Sequence, residues 1–107
     1  NGLTESATIL WLVENRMRWR RMSITEEEKQ FLLDDIESAV VNECLGDDEK
    51  IYDAFADIHN KLKDGQKLYQ FEIEMVANFL TGLCDCPEFF SEEETLMRRE
   101  LAKKIME

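Results

Sequence analysis

Two four-residue stretches of the same type constrain the fold most, because each is typical of the start of a helix. Thr25 is followed by three Glu residues ending at Glu28, and Ser91 is followed by three Glu residues ending at Glu94. In such a capping box the hydroxyl accepts a hydrogen bond from the third helical N–H, and the Glu accepts one from the capping residue. The two stretches therefore predict helices that begin at residues 26 and 92.

Helix-stopping residues divide the rest of the chain. Gly46 precedes two Asp residues, Gly65 follows Asp64, and Pro87 follows a cysteine. Together with the capping boxes they predict five helices, over about 4–22, 26–45, 48–63, 67–84 and 92–106. The connections are short, so successive helices should pack antiparallel. We therefore predict an all-α fold, a single domain over residues 1–107 that forms a bundle of about five antiparallel helices.

The apolar residues of the predicted helices recur at helical spacing, and each set indicates a buried face. For helix 92–106 the stripe is loose, which favours a peripheral position. The predicted faces of helices 26–45, 48–63 and 92–106 are, in that order, Leu32, Leu33, Ile36, Ala39, Val40 and Cys44; Ile51, Ala54, Phe55, Ile58 and Leu62; and Leu96, Met97, Leu101 and Ile105.

The charge is strongly negative and unevenly distributed. The chain has 24 acidic and 13 basic residues, a net charge of -11, and twelve of the acids lie between Glu26 and Asp57. Such a balance disfavours binding to nucleic acids and to anionic membranes, because phosphate binding needs clustered Lys and Arg. No apolar run approaches the roughly 18 residues of a membrane span. We predict no direct nucleic-acid partner and no membrane partner.

The stretch from Glu14 to Arg21 is basic, and two of its arginines fall within an apolar helix face. Arg16 and Arg20 interrupt the apolar arc of helix 4–22, as Glu72 interrupts that of helix 67–84. An up-and-down bundle brings these residues to one end, together with His59. A buried carboxylate needs a partner, so we predict a buried polar cluster in which Glu72 pairs with Arg16 or Arg20. A structural ion pair is favoured; a ligand site or proton chemistry is the alternative.

The other side of helix 4–22 has the composition of an interface. Trp11, Arg18 and Met22 recur there at helical spacing, and Phe31 on the polar side of the next helix extends the set. Trp, Arg and Met are enriched where proteins bind each other. The alternative is a first helix buried on both sides. For Phe89 and Phe90 a local lid over the core is favoured over a contact with a partner.

Catalytic and metal sites are poorly supported. Cys44, Cys84, Cys86 and His59 match a zinc site in number but not in spacing, and the carboxylate pairs lie on the solvent sides of their helices. We predict no catalytic residue, no metal and no cofactor. The odd number of cysteines indicates reduced thiols and hence the cytoplasm.

These patterns predict a small acidic protein that acts in protein–protein interaction or regulation, without catalytic activity, and binds a partner protein or forms a homodimer. Two alternatives stay open. An acidic flank could imitate the phosphates of a nucleic acid and inhibit a DNA- or RNA-binding protein; a small helical enzyme or ligand-binding protein could use the cluster of Arg, Glu and His. The acidic flank consists of Asp34, Asp35, Glu37, Asp53 and Asp57.

Overall fold

The structure is a computed structural model that describes residues 18–84 and 90–107. Helices make up 72% of the described residues, so the prediction of a predominantly helical protein is confirmed. The described part has four helices rather than the five predicted for the whole chain. The elements in chain order are β1 (Trp19–Arg20), α1 (Glu26–Val41), α2 (Glu49–Lys63), β2 (Leu68–Tyr69), α3 (Gln70–Cys84) and α4 (Glu92–Met106).

The described residues belong to two compact units. Unit 1 contains residues 18–20, 69–84 and 90–107, and unit 2 contains Arg21–Leu68. Helices α3 and α4 pack together in unit 1, and α1 and α2 pack together in unit 2. The single-domain organisation stays a prediction.

In unit 2, α1 and α2 form an antiparallel hairpin. Val40 near the end of α1 and Tyr52 near the start of α2 line one pocket, and Oε2 of Glu37, one turn before Val40, lies 3.9 Å from Nε2 of His59. The buried side chains come from the apolar faces that the sequence predicts, except that Cys44 is exposed and lies beyond the end of α1. The buried residues of the two helices are Leu32, Leu33, Ile36, Ala39, Phe55, Ile58 and Leu62, and Leu68 at the end of unit 2 is also buried.

The start of α1 matches its prediction, but its end does not. Thr25 accepts from the N–H of Glu28 and Glu28 accepts from the N–H of Thr25, which is the predicted capping box. The helix stops at Val41, four residues early, because Glu43 adopts φ 54° and reverses the chain. The N–H of Cys44 then donates to the carbonyl of Ala39 at 2.9 Å, as in a Schellman motif.

Helix α2 ends in the same way with the residue that this geometry favours. Gly65 has φ 71°, and the N–H of Gln66 donates to the carbonyl of Lys61 at 2.8 Å. A left-handed conformation brings Cβ close to the following carbonyl, a clash from which glycine is exempt. The two hairpin helices thus end in equivalent turns, one with Glu and one with Gly.

This equivalence gives a prediction. Glu43→Gly is expected to raise the free energy of unfolding by about 0.5–1 kcal/mol, because the strain at Glu43 is removed. Gly65→Glu is expected to lower it by about 1 kcal/mol; a Cβ at Gly65 meets no atom within 4 Å, so the effect comes from the backbone alone. Urea denaturation measures both, and Glu43→Gln separates the effect of charge from that of conformation. A loss of stability in Glu43→Gly would contradict the explanation.

In unit 1, α3 and α4 form a second antiparallel hairpin. The Cys84 thiol at the end of α3 lies 3.5 Å from the carbonyl oxygen of Thr95 in the first turn of α4. The buried face of α4 consists of Arg98, Leu101, Ala102 and Ile105, whereas Leu96 is 57% exposed. The prediction of a peripheral last helix is therefore wrong, since α4 supplies much of the core of its unit. The predicted stripe included Leu101 and Ile105 of this face but not Arg98, because hydropathy does not indicate a buried arginine.

The prediction of a helix over 4–22 is wrong for residues 18–22. Trp19 and Arg20 form a short strand that pairs with Leu68 and Tyr69, and residues 21–25 are not helical. Residues 1–17 lie outside the described part of the chain. Residues 68 and 69 of the predicted helix 67–84 form strand β2 instead, so the observed helix α3 begins at Gln70.

Within the described ranges, every helix is too short or too polar to cross a membrane.

Candidate interaction site

The pairing of β1 with β2 places the Trp19 side chain against that of Tyr69, fifty residues later in the chain. The carbonyl of Arg18 accepts a hydrogen bond from the N–H of Gln70 at 2.8 Å. This contact aligns Trp19 with Tyr69, and their ring centroids lie 3.8 Å apart at an interplanar angle of 39°. Trp and Tyr both favour extended backbone when they can pack across strands.

A second ring contact continues this group into α3. Phe71 stacks on Tyr69 with centroids 5.6 Å apart and planes within 12° of parallel. Although it contacts Tyr69, Trp19 remains 47% exposed. We call Trp19, Tyr69 and the exposed Arg18 the aromatic surface.

Arg20 fixes the backbone beneath the aromatic surface. Its Nε donates to Oε1 of Gln70 at 2.8 Å, while its two terminal nitrogens donate to the carbonyls of Ile105 and Glu107 at 2.6 and 3.0 Å. The last carbonyls of a helix lack intrahelical partners and carry partial negative charge, so a guanidinium is well suited to bind them. Arg20 therefore connects β1 to the start of α3 and to the end of α4.

The buried carboxylate has a different role from the predicted ion pair with Arg20. Glu72 is 4% exposed, and its Oε1 accepts a hydrogen bond from the N–H of Tyr69 at 2.9 Å. Glu72 is the third residue of α3, so it makes the same contact to the residue before the helix that Glu28 makes to Thr25. Arg20 is directed to Gln70 and to the end of α4 instead. Arg16, the other predicted partner, lies outside the described residues.

His59 belongs to unit 2, so its predicted place in a cluster with Arg20 and Glu72 stays a prediction. Its Nε2 lies 3.9 Å from Oε2 of Glu37 across the α1–α2 hairpin.

The predicted interaction surface depended on helical spacing, and the structure has no helix at Arg18 or Met22. Arg18 precedes a strand and Met22 lies in a non-helical segment, so no helix face joins them. Met22 and Phe31 are half-buried in unit 2. Trp11 lies outside the described residues, and its part in a surface stays a prediction.

The acidic flank lies on the outer sides of α1 and α2, where Asp35 is half-buried and the other four residues are exposed. Part of its charge is offset locally. Nζ of Lys61 lies 3.1 Å from Oδ2 of Asp57 and offsets one negative charge. The neutral amide Nε2 of Gln30 donates a hydrogen bond to Oδ1 of Asp34 at 2.9 Å. Inhibition of a DNA- or RNA-binding protein through this flank stays a prediction.

No group of three or more His, Cys, Asp or Glu residues suited to a metal ion occurs among the described residues. Cys44 is an exposed free thiol and Cys84 a buried one, while Cys86 lies outside the described part of the chain.

Arg98 is a buried side chain whose role the sequence reasoning did not identify. Its guanidinium carbon lies 4.0 Å from the centroid of the Phe90 ring, and its Nη2 lies 3.5 Å from Oε2 of Glu94. Phe90 thus covers a buried cation of α4, in agreement with a local role for this residue. Phe89 lies outside the described residues.

Trp19 and Tyr69 lie within the predicted helices 4–22 and 67–84, where helical spacing predicts them on the apolar faces, but the structure has both in strands. The signal against this was local: Arg18, Trp19 and Arg20 alternate polar and apolar residues, as a strand does. Three residues are too few to outweigh a helical pattern without knowledge of the pairing strand.

The comparisons with known proteins give no relative: no protein-family model, curated protein or solved structure matches this chain.

Proposed function

We propose that this protein is a non-catalytic interaction protein that binds a partner protein through the aromatic surface. The observation that carries the proposal is Trp19, a large aromatic side chain that is 47% exposed although its backbone and ring position are fixed. Rigid Trp and neighbouring Arg side chains are typical of residues that dominate binding energy.

The free energy available at Trp19 is substantial. A Trp side chain has up to about 250 Å² of surface, so covering the exposed half contributes about 2–3 kcal/mol. The entropic cost of ordering is small, because the hydrogen bonds of Arg20 and the contact with Tyr69 already hold the residue. Arg18, the residue before Trp19, is exposed as well, and its guanidinium suits a partner that presents a carboxylate.

We also infer that the protein acts in the cytoplasm. The support is Cys44, an exposed free thiol of a kind that persists in reducing compartments.

Quantitative affinity capture from source cells, followed by titration calorimetry with the purified captured protein, tests the proposal. Trp19→Ala is expected to weaken binding by about 30- to 100-fold through loss of the buried ring surface. Arg18→Glu should weaken binding through charge reversal. Leu96→Ala is the matched control, since Leu96 is also an exposed apolar residue of unit 1 and should bind like the wild type.

Circular dichroism of each variant establishes that its fold is kept. Equal affinity of the wild type and Trp19→Ala would refute the proposal, as would the absence of any protein retained by the wild type.

A further inference from the structure

A groove runs along the outer side of the α3–α4 hairpin, away from the residues of the aromatic surface. Its volume is about 700 Å³, and the buried residues Ala77 and Ala102 form its floor. Small side chains at facing positions leave the groove open between the two helices. Its other lining residues are Glu74, Asn78, Thr81, Arg99, Lys103 and Met106.

One wall of this groove is basic, in a protein with a net charge of -11. Arg99 and Lys103 are exposed, lie one helical turn apart on α4, and form no ion pair with another described residue. Met106 follows on the same side of α4 and is 45% exposed. The wall therefore presents two cations and then an apolar side chain over eight residues, and the first and last are roughly 10 Å apart along the helix.

The same chain carries a helix face of complementary charge. Asp34, Glu37 and Val41 lie on one side of α1 and border a common shallow depression. All three are exposed, and Val41 is exposed to 72%. This face presents two anions and then an apolar side chain, again over eight residues.

We propose that the α3–α4 groove binds the Asp34–Glu37–Val41 face of α1 from a second copy of this chain. On both helices two charged side chains come before an apolar one, and the two sets have the same length, which favours a parallel alignment of α1 with α4. Asp34 then faces Arg99, Glu37 faces Lys103, and Val41 contacts Met106 at the end of the contact. The two surfaces differ, so the contact is heterologous; two such contacts close a dimer when each copy offers both surfaces to the other.

The charge pairs set the register, and the two apolar side chains supply area that is otherwise in water. Overall repulsion between two acidic molecules opposes association, and salt screens this repulsion together with the local pairs. Salt dependence alone is therefore an ambiguous test. Charge reversal at the contact separates the two effects.

The experiment is sedimentation equilibrium on the wild type and on two double variants, Arg99→Glu/Lys103→Glu and Asp34→Lys/Glu37→Lys. The wild type should self-associate, and each double variant alone should associate at least about tenfold more weakly. An equimolar mixture of the two variants should regain association, because each reversed surface meets its reversed counterpart and each native surface its native one.

The acidic-face variant gives the sharpest result. Each reversal adds two positive charges, so Asp34→Lys/Glu37→Lys moves the net charge from -11 to -7 and reduces overall repulsion. A specific contact predicts weaker association despite this change. The matched control is Asp53→Lys/Asp57→Lys, which makes the same charge change on exposed residues of α2 and should leave association as strong or stronger.

Circular dichroism confirms folding of each variant. A wild type that stays monomeric at the highest soluble concentration overturns the proposal, as does a failure of the mixture to associate. Self-association that is lost in Trp19→Ala and kept in both double variants also overturns it, since the contact would then use the aromatic surface.

Discussion

The substitution Ile58→Ala is expected to lower the free energy of unfolding by about 3 kcal/mol. Ile58 is fully buried in the α1–α2 hairpin. Truncation removes most of the side chain and leaves a cavity, because the surrounding close-packed core relaxes only in part. Urea denaturation followed by far-UV circular dichroism measures the change.

The matched control is Val41→Ala in the same unit. Val41 is 72% exposed, so its truncation is expected to change the free energy of unfolding by less than about 0.5 kcal/mol. Comparable losses in the two variants would contradict the burial of Ile58 in the core.

Ile58→Ala also tests the single-domain prediction, because Ile58 lies in unit 2 and Trp19 in unit 1. For one cooperative domain, the emission of Trp19 in a Trp11→Phe background and the far-UV signal change at the same urea concentration. A Trp19 transition left in its original position would show that the two units unfold separately.

Arg20→Ala is expected to lower the free energy of unfolding by about 2–3 kcal/mol, the largest effect after that of Ile58→Ala. The variant loses three charge-assisted hydrogen bonds, those to Gln70, Ile105 and Glu107, and removes a cation from the end of α4. Arg20→Lys keeps the charge but cannot bind three acceptors with one planar group, so it should recover less than half of the loss. Chemical denaturation of the wild type and the two variants measures the free energies of unfolding, which should decrease in the order wild type, Arg20→Lys, Arg20→Ala.

Arg21→Ala provides the control for Arg20. Arg21 is the next residue and is exposed, and its substitution should leave stability within about 0.5 kcal/mol of the wild type. A loss in Arg21→Ala as large as that in Arg20→Ala would indicate that net charge, rather than the hydrogen bonds of Arg20, determines the effect.

The sequence predicts helices best where the signal is local. The signals at Thr25 and Ser91 depend on residues within one turn, and both helices begin where expected. The capping box is complete at Thr25, whereas at Ser91 the hydroxyl accepts from the N–H of Glu94 and donates to the Glu94 carboxylate instead of the backbone N–H doing so. The turn at Gly65 is also predicted, because glycine adopts its left-handed conformation without strain. At Glu43 the same turn is formed by an unexpected residue, so the predicted helix is too long.

The aromatic surface could not be predicted in this way, because it depends on contacts between distant parts of the chain. Trp19 is extended because the carbonyl of Arg18 pairs with the N–H of Gln70. The hydrogen-bond partner of Glu72 also could not be predicted. The helix face shows that Glu72 points inward, but its hydrogen bond to the N–H of Tyr69 follows only when the first residue of α3 is known. Burial was thus easier to infer than the partner.

The contact between Trp19 and Tyr69 gives this protein an intrinsic optical label. Two aromatic chromophores 3.8 Å apart and tilted by 39° couple their electronic transitions, which produces a near-UV circular dichroism band and transfers excitation from the phenol to the indole. The coupling falls steeply with separation and changes with angle. Binding of a partner that covers the indole changes its surroundings and can therefore be followed without attaching a dye, with Trp11→Phe removing the second indole.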